Sequence, residues 1–164
     1  MSYRVYVITA NTARYNGEEP DLSGRAVVKT LEQAGYTIAG HQVLPDERKI
    51  LVECMKTICD QRVADILVTT GGTGFSPEDC TPEATTDILE RPALGIPEAM
   101  RAHLLKASPL GVLTRATAGI RKKTLIVNLP GSPKAVKESL GFIMDSLEHG
   151  IKILRGSASE CARH

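Results

Sequence analysis

The chain has 164 residues and a formal net charge of +1, enough to bury one core without metal or disulfide staples and to be read as one domain over 1–155 with a tail at 156–164. Its 20 basic residues form no long run, aromatics are only 4%, and tryptophan is absent, so a nucleic-acid surface built on phosphate contacts and base stacking is not indicated. No apolar stretch approaches the roughly 18 residues of a membrane span, and no signal-peptide pattern opens the chain, so a soluble cytoplasmic protein is expected.

Val5-Tyr6-Val7-Ile8 reads as a first strand. Residues 9–23 form a polar loop too long for a minimal turn. Ser23 is placed to cap a helix whose inward positions Ala26, Val27, Thr30, Leu31 and Ala34 keep helical spacing, with Gly35 ending it. A second strand covers 36–44, and Pro45-Asp46 is a turn. The positions Ile50, Leu51, Cys54, Met55, Ile58 and Cys59 then make one helical stripe over 47–61. Ile66 to Thr70 is a third strand, short, apolar and β-branched. Short helices follow Pro82 and Pro97. Val112 to Thr114 reads as a short strand, Thr124 to Asn128 as a stronger one, and a long helix runs over 133–154. Strands alternating with helices imply an α/β fold with a largely parallel sheet.

The four cysteines, Cys54, Cys59, Cys80 and Cys161, contain no CxxC and fit no zinc spacing. Cys54 and Cys59 fall on the apolar side of their helix and read as buried thiols. His41, His103, His149 and His164 form no cluster. Lys134 and Lys137 read as a solvated helix face, and Arg121-Lys122-Lys123 as an exposed charge run.

The chemistry concentrates in Thr69-Thr70-Gly71-Gly72-Thr73-Gly74, followed by Asp79-Cys80-Thr81-Pro82-Glu83-Ala84. Glycines after a strand let the backbone turn sharply and approach a ligand. Successive N–H groups in such a turn can cup a phosphate, and a nearby carboxylate can hold a cation beside it. Thr81 is placed as N-cap of the next helix, with Pro82 at its first position and Glu83 in its first turn. A second candidate anion loop, Asn128-Leu129-Pro130-Gly131-Ser132-Pro133, follows the late strand and opens the final helix. The first loop is neither a P-loop nor a dinucleotide fingerprint. Plainer roles stay open: Asp79 as a turn residue, and Asp46 as N-cap of the 47–61 helix.

This pattern resembles the Mog-type molybdopterin adenylyltransferases of molybdenum cofactor biosynthesis, which include the gephyrin G domain. The likeness extends through Leu44-Pro45-Asp46-Glu47, Gly95-Ile96-Pro97-Glu98-Ala99-Met100-Arg101, Leu113-Thr114-Arg115, Ala118-Gly119-Ile120-Arg121 and the 125–133 stretch. It implies a three-layer α/β/α, molybdopterin-binding-type domain with a mostly parallel sheet, assembled as a homotrimer. It also implies transfer of AMP from ATP to molybdopterin with release of pyrophosphate, and a possible molybdenum-insertion partner protein. Asp46 and Asp79 match the acidic pair, expected to be catalytic and to hold Mg²⁺. Thr70, Gly71, Gly72, Thr73, Gly74, Thr81, Pro82 and Glu83 would bind nucleotide phosphates. Thr114, Arg115, Asn128, Pro130, Gly131 and Ser132 would face the substrates. The chain departs from the family pattern at Asn11, where a carboxylate is usual, at Glu78, where a base is common, and at Thr114, where serine is common. The related MoaB-type proteins share the fold and glycine loop, and a non-catalytic pterin- or nucleotide-binding protein of that type is the alternative.

Overall fold

The computed structural model describes residues 2–157, so Cys161 and all of the tail beyond Ser157 lie outside the described residues. Strands β1 (Arg4–Ala10), β2 (Thr37–Leu44), β3 (Ile66–Thr70), β4 (Arg91–Pro92), β5 (Ala118–Arg121) and β6 (Thr124–Leu129) form one sheet in the order β2-β1-β3-β6-β5-β4. The first three and β6 are parallel. The edge is antiparallel, with β5 against β6 and β4 against β5. The helices are α1 (Thr12–Tyr15), α2 (Leu22–Gln33), α3 (Arg48–Asp60), α4 (Thr81–Ile88), α5 (Gly95–Leu105) and α6 (Pro133–Leu154).

Alternation along the central strands assigns residues to two cores. Val5, Val7, Ile66, Val68, Leu125 and Val127 point one way and pack with Val27 and Leu31 of α2, Met100 of α5, and Leu140 and Leu147 of α6. Ile8, Leu67 and Ile126 point the other way and pack with Leu51, Met55 and Cys59 of α3 and Ala84 and Ile88 of α4. Strands covered on both faces need no polar side, which is why they read as continuous apolar runs. The expected three-layer α/β/α arrangement is the one observed.

Several local expectations are corrected. Asp21, two residues before Ser23, caps α2 by accepting from Gly24 N at 2.9 Å. The polar loop after β1 contains α1, capped by Asn11, whose Oδ1 accepts from Arg14 N. Val112 to Thr114 is no strand: Pro109–Leu113 is a 3-10 turn, because Pro109 presets its backbone and Ser108 Oγ accepts from Leu110 N. The charge run is the tip of the β5–β6 hairpin, with Lys122 at φ 52°. Arg121 there is mostly buried, forking onto Asp60 at 2.8 and 2.9 Å. β4 and β5 carry no apolar alternation, and the sequence reading passes over them. Cys59 is fully buried, and burial pushes its thiol up to about 12, in keeping with a packing role.

Asn128, near the end of β6, is fully buried. Its Nδ2 donates to Thr69 Oγ1 on β3 and Thr85 Oγ1 on α4, and its Oδ1 accepts from Thr117 N. One amide thus fastens four segments beneath the loops. Asn128→Ala leaves the Thr117 N–H without that acceptor and is expected to lower unfolding stability by about 3 kcal/mol. Denaturant titration checks this; a loss under about 1 kcal/mol would mean the node contributes little.

Candidate active site

Ligand crevices in open parallel sheets form outside the carboxyl ends of the strands, where the winding direction reverses. Here that point lies between β1 and β3, with β2 on one side and β6 on the other. Register brings the strand ends level: Ala10 pairs with Leu44, Thr9 with Thr70, and Thr70 with Leu129. The next residues of each strand, Asn11, Pro45, Gly71 and Pro130, therefore open four loops onto one crevice.

The glycine loop forms the floor. Gly71 has φ 89°, and a Cβ there would stand 2.5 Å from Ala10 O. Gly72 has φ 66°, and a Cβ there would stand 2.3 Å from Thr81 Oγ1 and 3.1 Å from Asp46 Oδ1. Only glycine combines this left-handed backbone with that clearance. A Cβ at Gly131 would stand 3.5 Å from Gly71 Cα, so the two glycine loops lie side by side. Thr70 Oγ1 donates to Pro130 O at 2.6 Å and ties them together. A cleft of about 310 Å³ is lined by 71–74, Asp79, Leu113, Thr114, Pro130 and Gly131. A neighbouring, more apolar cleft of about 350 Å³ shares Thr114 and Pro130 and adds Ser132 and Lys134.

Asp46 does not cap α3. Glu47 holds the N-cap position, without a side-chain cap bond. The reason is a competing partner: Asp46 Oδ2 accepts from Thr12 N at 3.0 Å and Thr12 Oγ1 at 3.3 Å. Thr12 Oγ1 in turn accepts from Asp46 N at 2.9 Å. Asp46 is thus fixed to the loop after β1, and its Oδ1 is buried with no hydrogen-bond partner. Thr81 Oγ1 is in the same condition. Burial raises the Asp46 carboxyl; the Thr12 hydrogen bonds oppose this, and the charges of Asp79 and Glu78 add to the rise.

Asp79 sits across the same glycines. Its Oδ2 accepts from Ser76 N at 3.2 Å and stands 2.9 Å from where a Gly74 Cβ would be. One residue therefore both holds its turn and lines the cleft. Thr81 is the first residue of α4, and Cys80 takes the N-cap position ahead of it without a side-chain cap bond. Pro82 and Thr81 are buried.

Two residues expected to face the substrates are placed elsewhere. Asn128 is enclosed beneath the loops, held by Thr69, Thr85 and Thr117. Arg115 turns its guanidinium to the protein, with Nε on Gly74 O, Nη2 on Asp79 O and Nη1 on Glu83 Oε1. Burial works against the Glu83 carboxylate, but the Arg115 contact and a backbone hydrogen bond outweigh it and hold it below its usual range. Ser132 caps α6 by accepting from Ala135 N. Glu78 is exposed and bonded to Ser76 Oγ. Thr12 is the residue the sequence reading misses. Its only signal is its place just past the first strand, level with Asp46.

The residues present fit a divalent cation. An unpartnered carboxylate oxygen and an unpartnered hydroxyl flank a bare glycine, with a second carboxylate on the same loop. Among the described residues no group of three or more His, Cys, Asp or Glu is arranged to hold a metal. Mg²⁺ commonly takes one or two carboxylates and completes its shell with water and substrate phosphates.

The family model described as a probable molybdopterin binding domain matches residues 6–149. The chain belongs to this family. Among curated relatives of this molybdopterin-binding family, the molybdopterin adenylyltransferase of Helicobacter pylori (strain J99) is 35% identical over 161 residues, covering 96% of this chain and 90% of that protein. Among solved structures, the molybdopterin biosynthesis enzyme MoaB from Thermus thermophilus superposes with a TM-score of 0.87 at 36% identity, covering 94% of this chain and 97% of that one. The tungsten cofactor synthesizing protein MoaB from Pyrococcus furiosus gives 0.84 at 31%, covering 94% and 98%. Among the described residues no helix is long and apolar enough to cross a membrane.

Proposed function

We propose that this chain is a molybdopterin adenylyltransferase of molybdenum cofactor biosynthesis, moving AMP from ATP to the terminal phosphate of molybdopterin. The relatives of that name covering nearly the whole chain support this reading. The observation that carries it is the pairing of a glycine phosphate cradle with the unpartnered Asp46 Oδ1 and Thr81 Oγ1 at its centre. Two adjoining clefts sharing Thr114 and Pro130 offer room for two substrates.

A phosphate oxygen of molybdopterin attacks the α-phosphorus of ATP. The bond from that phosphorus to the bridging oxygen breaks, and pyrophosphate leaves. No covalent enzyme intermediate is required, so the protein's task is positioning and charge neutralisation. The 71–74 amides cup phosphate in the cleft that Gly131 also lines, and Ser132 borders the second cleft. Asp46 and Asp79 would hold Mg²⁺, which supplies neutralisation of the phosphate charge when bound. Thr12 keeps Asp46 turned so that one oxygen is presented and the other is spent. Assembly as a homotrimer, residence in the cytoplasm and hand-over of product to a molybdenum-insertion partner belong to the same proposal.

The test is incubation of the native protein with molybdopterin, ATP and Mg²⁺, followed by chromatography for adenylylated pterin and pyrophosphate. Product formation supports the transferase. Pterin binding without product would instead assign the chain to the non-catalytic MoaB-type alternative.

A further inference from the structure

The segment between the glycine floor and α4 is strung across a single side chain. Arg115 N donates to Thr73 O at 2.8 Å. Its Nε donates to Gly74 O at 2.7 Å, and its Nη2 to Asp79 O at 3.0 Å. These carbonyls lie on either side of the exposed stretch 75–78. The remaining arm, Nη1, bonds Glu83 in the first turn of α4. One planar fork therefore closes both ends of the loop that carries Asp79 and fastens it to the helix that carries Thr81.

We infer that Arg115 and Glu83 are positioning residues that shape the Asp79 loop, and that neither binds substrate phosphate. The charge balance supports this. The guanidinium already faces a carboxylate, so little net positive charge is left for an incoming anion. The geometry supports it too, because two of its three arms end on main-chain oxygens of the loop itself. A lysine in its place keeps the charge but has one nitrogen where arginine has three in a fixed plane. Lysine can replace one of these contacts, not the set. A cradle loosened by an ångström loses alignment of the reacting groups, and such misplacement costs about 10²-fold in rate.

The inference rests on the proposed adenylyl transfer only for its kinetic readout. The test compares native protein, Arg115→Lys and Glu83→Ala by amide hydrogen exchange without substrates and by steady-state kinetics with varied ATP. In both variants the amides of 74–79 are expected to exchange about tenfold faster, while the central strands keep native protection. Both are expected to lose turnover more than they raise KM for ATP. The opposite pattern would overturn the inference: loop exchange unchanged, KM for ATP raised in Arg115→Lys and lowered in Glu83→Ala. That pattern is what a phosphate-binding arginine freed of its counter-charge would give. A native protein that makes no adenylylated pterin overturns the proposed function, while the exchange comparison still decides the clamp.

Discussion

Asp46→Asn is expected to reduce adenylyl transfer by about 10³-fold, the upper end for loss of one preorganised electrostatic group. The amide can still accept from Thr12 N and Oγ1, so the loop after β1 stays joined to the loop after β2. What changes is the buried, unpartnered Oδ1, whose place an uncharged amide nitrogen takes. Stability is expected to move the other way. Burial, with the Asp79 and Glu78 charges, places the folded-state Asp46 carboxyl above its unfolded value despite the Thr12 hydrogen bonds. A carboxyl raised on folding contributes stability that is complete below its unfolded pKa and is lost as pH rises through the folded one. Without metal, the native protein should therefore lose stability relative to Asp46→Asn as pH rises through the acid range above the ordinary aspartate value. Added Mg²⁺ should restore it in the native protein and leave the variant unmoved. Thermal unfolding of both proteins across that range, with and without Mg²⁺, checks the sign. Equal Tm differences at all pH values would mean that Asp46 is not perturbed by its surroundings, and full activity in the variant would remove it from the mechanism.

Asp79→Asn is expected to cost about 10²-fold in turnover with folding close to native. Asparagine keeps an acceptor for Ser76 N, and the Arg115 contact is to the Asp79 carbonyl, which the substitution leaves in place. The variant carries a second signature. The Asp79 charge is one of the causes that raise Asp46, so its removal should shift the acid limb of the residual activity to lower pH. A profile of kcat/KM against pH reads this directly. Native turnover in this variant would leave Asp79 as a turn residue only.

Much of this site is legible in the sequence. The strand stopping at Gly71-Gly72, the acidic residue a few positions on and the second glycine loop before Pro133 each carry a local backbone reason. Local reasons survive folding, because φ restrictions and strand periodicity act over a few residues. Where the sequence misleads, a competing partner from far along the chain wins. Asp46 has an open helix start beside it and bonds Thr12 instead, 34 positions away. Arg115 and Asn128 both stand on stretches that border the crevice, yet one turns to three loop and helix oxygens and the other inward to Thr69 and Thr85. A sequence shows that an arginine lies near a site; it does not show which way the guanidinium faces.

By itself the sequence determined the parallel β1, β2, β3 and β6 strands, the long α6, the glycine turns and the family. These follow from apolar periodicity, from backbone freedom at glycine and from motif order. Only the tertiary structure decided the antiparallel edge, the partner of Asp46, the unpartnered oxygens over Gly72 and the clamp beneath Asp79. Those depend on side chains brought together across the sheet from distant positions, and no local rule encodes such meetings.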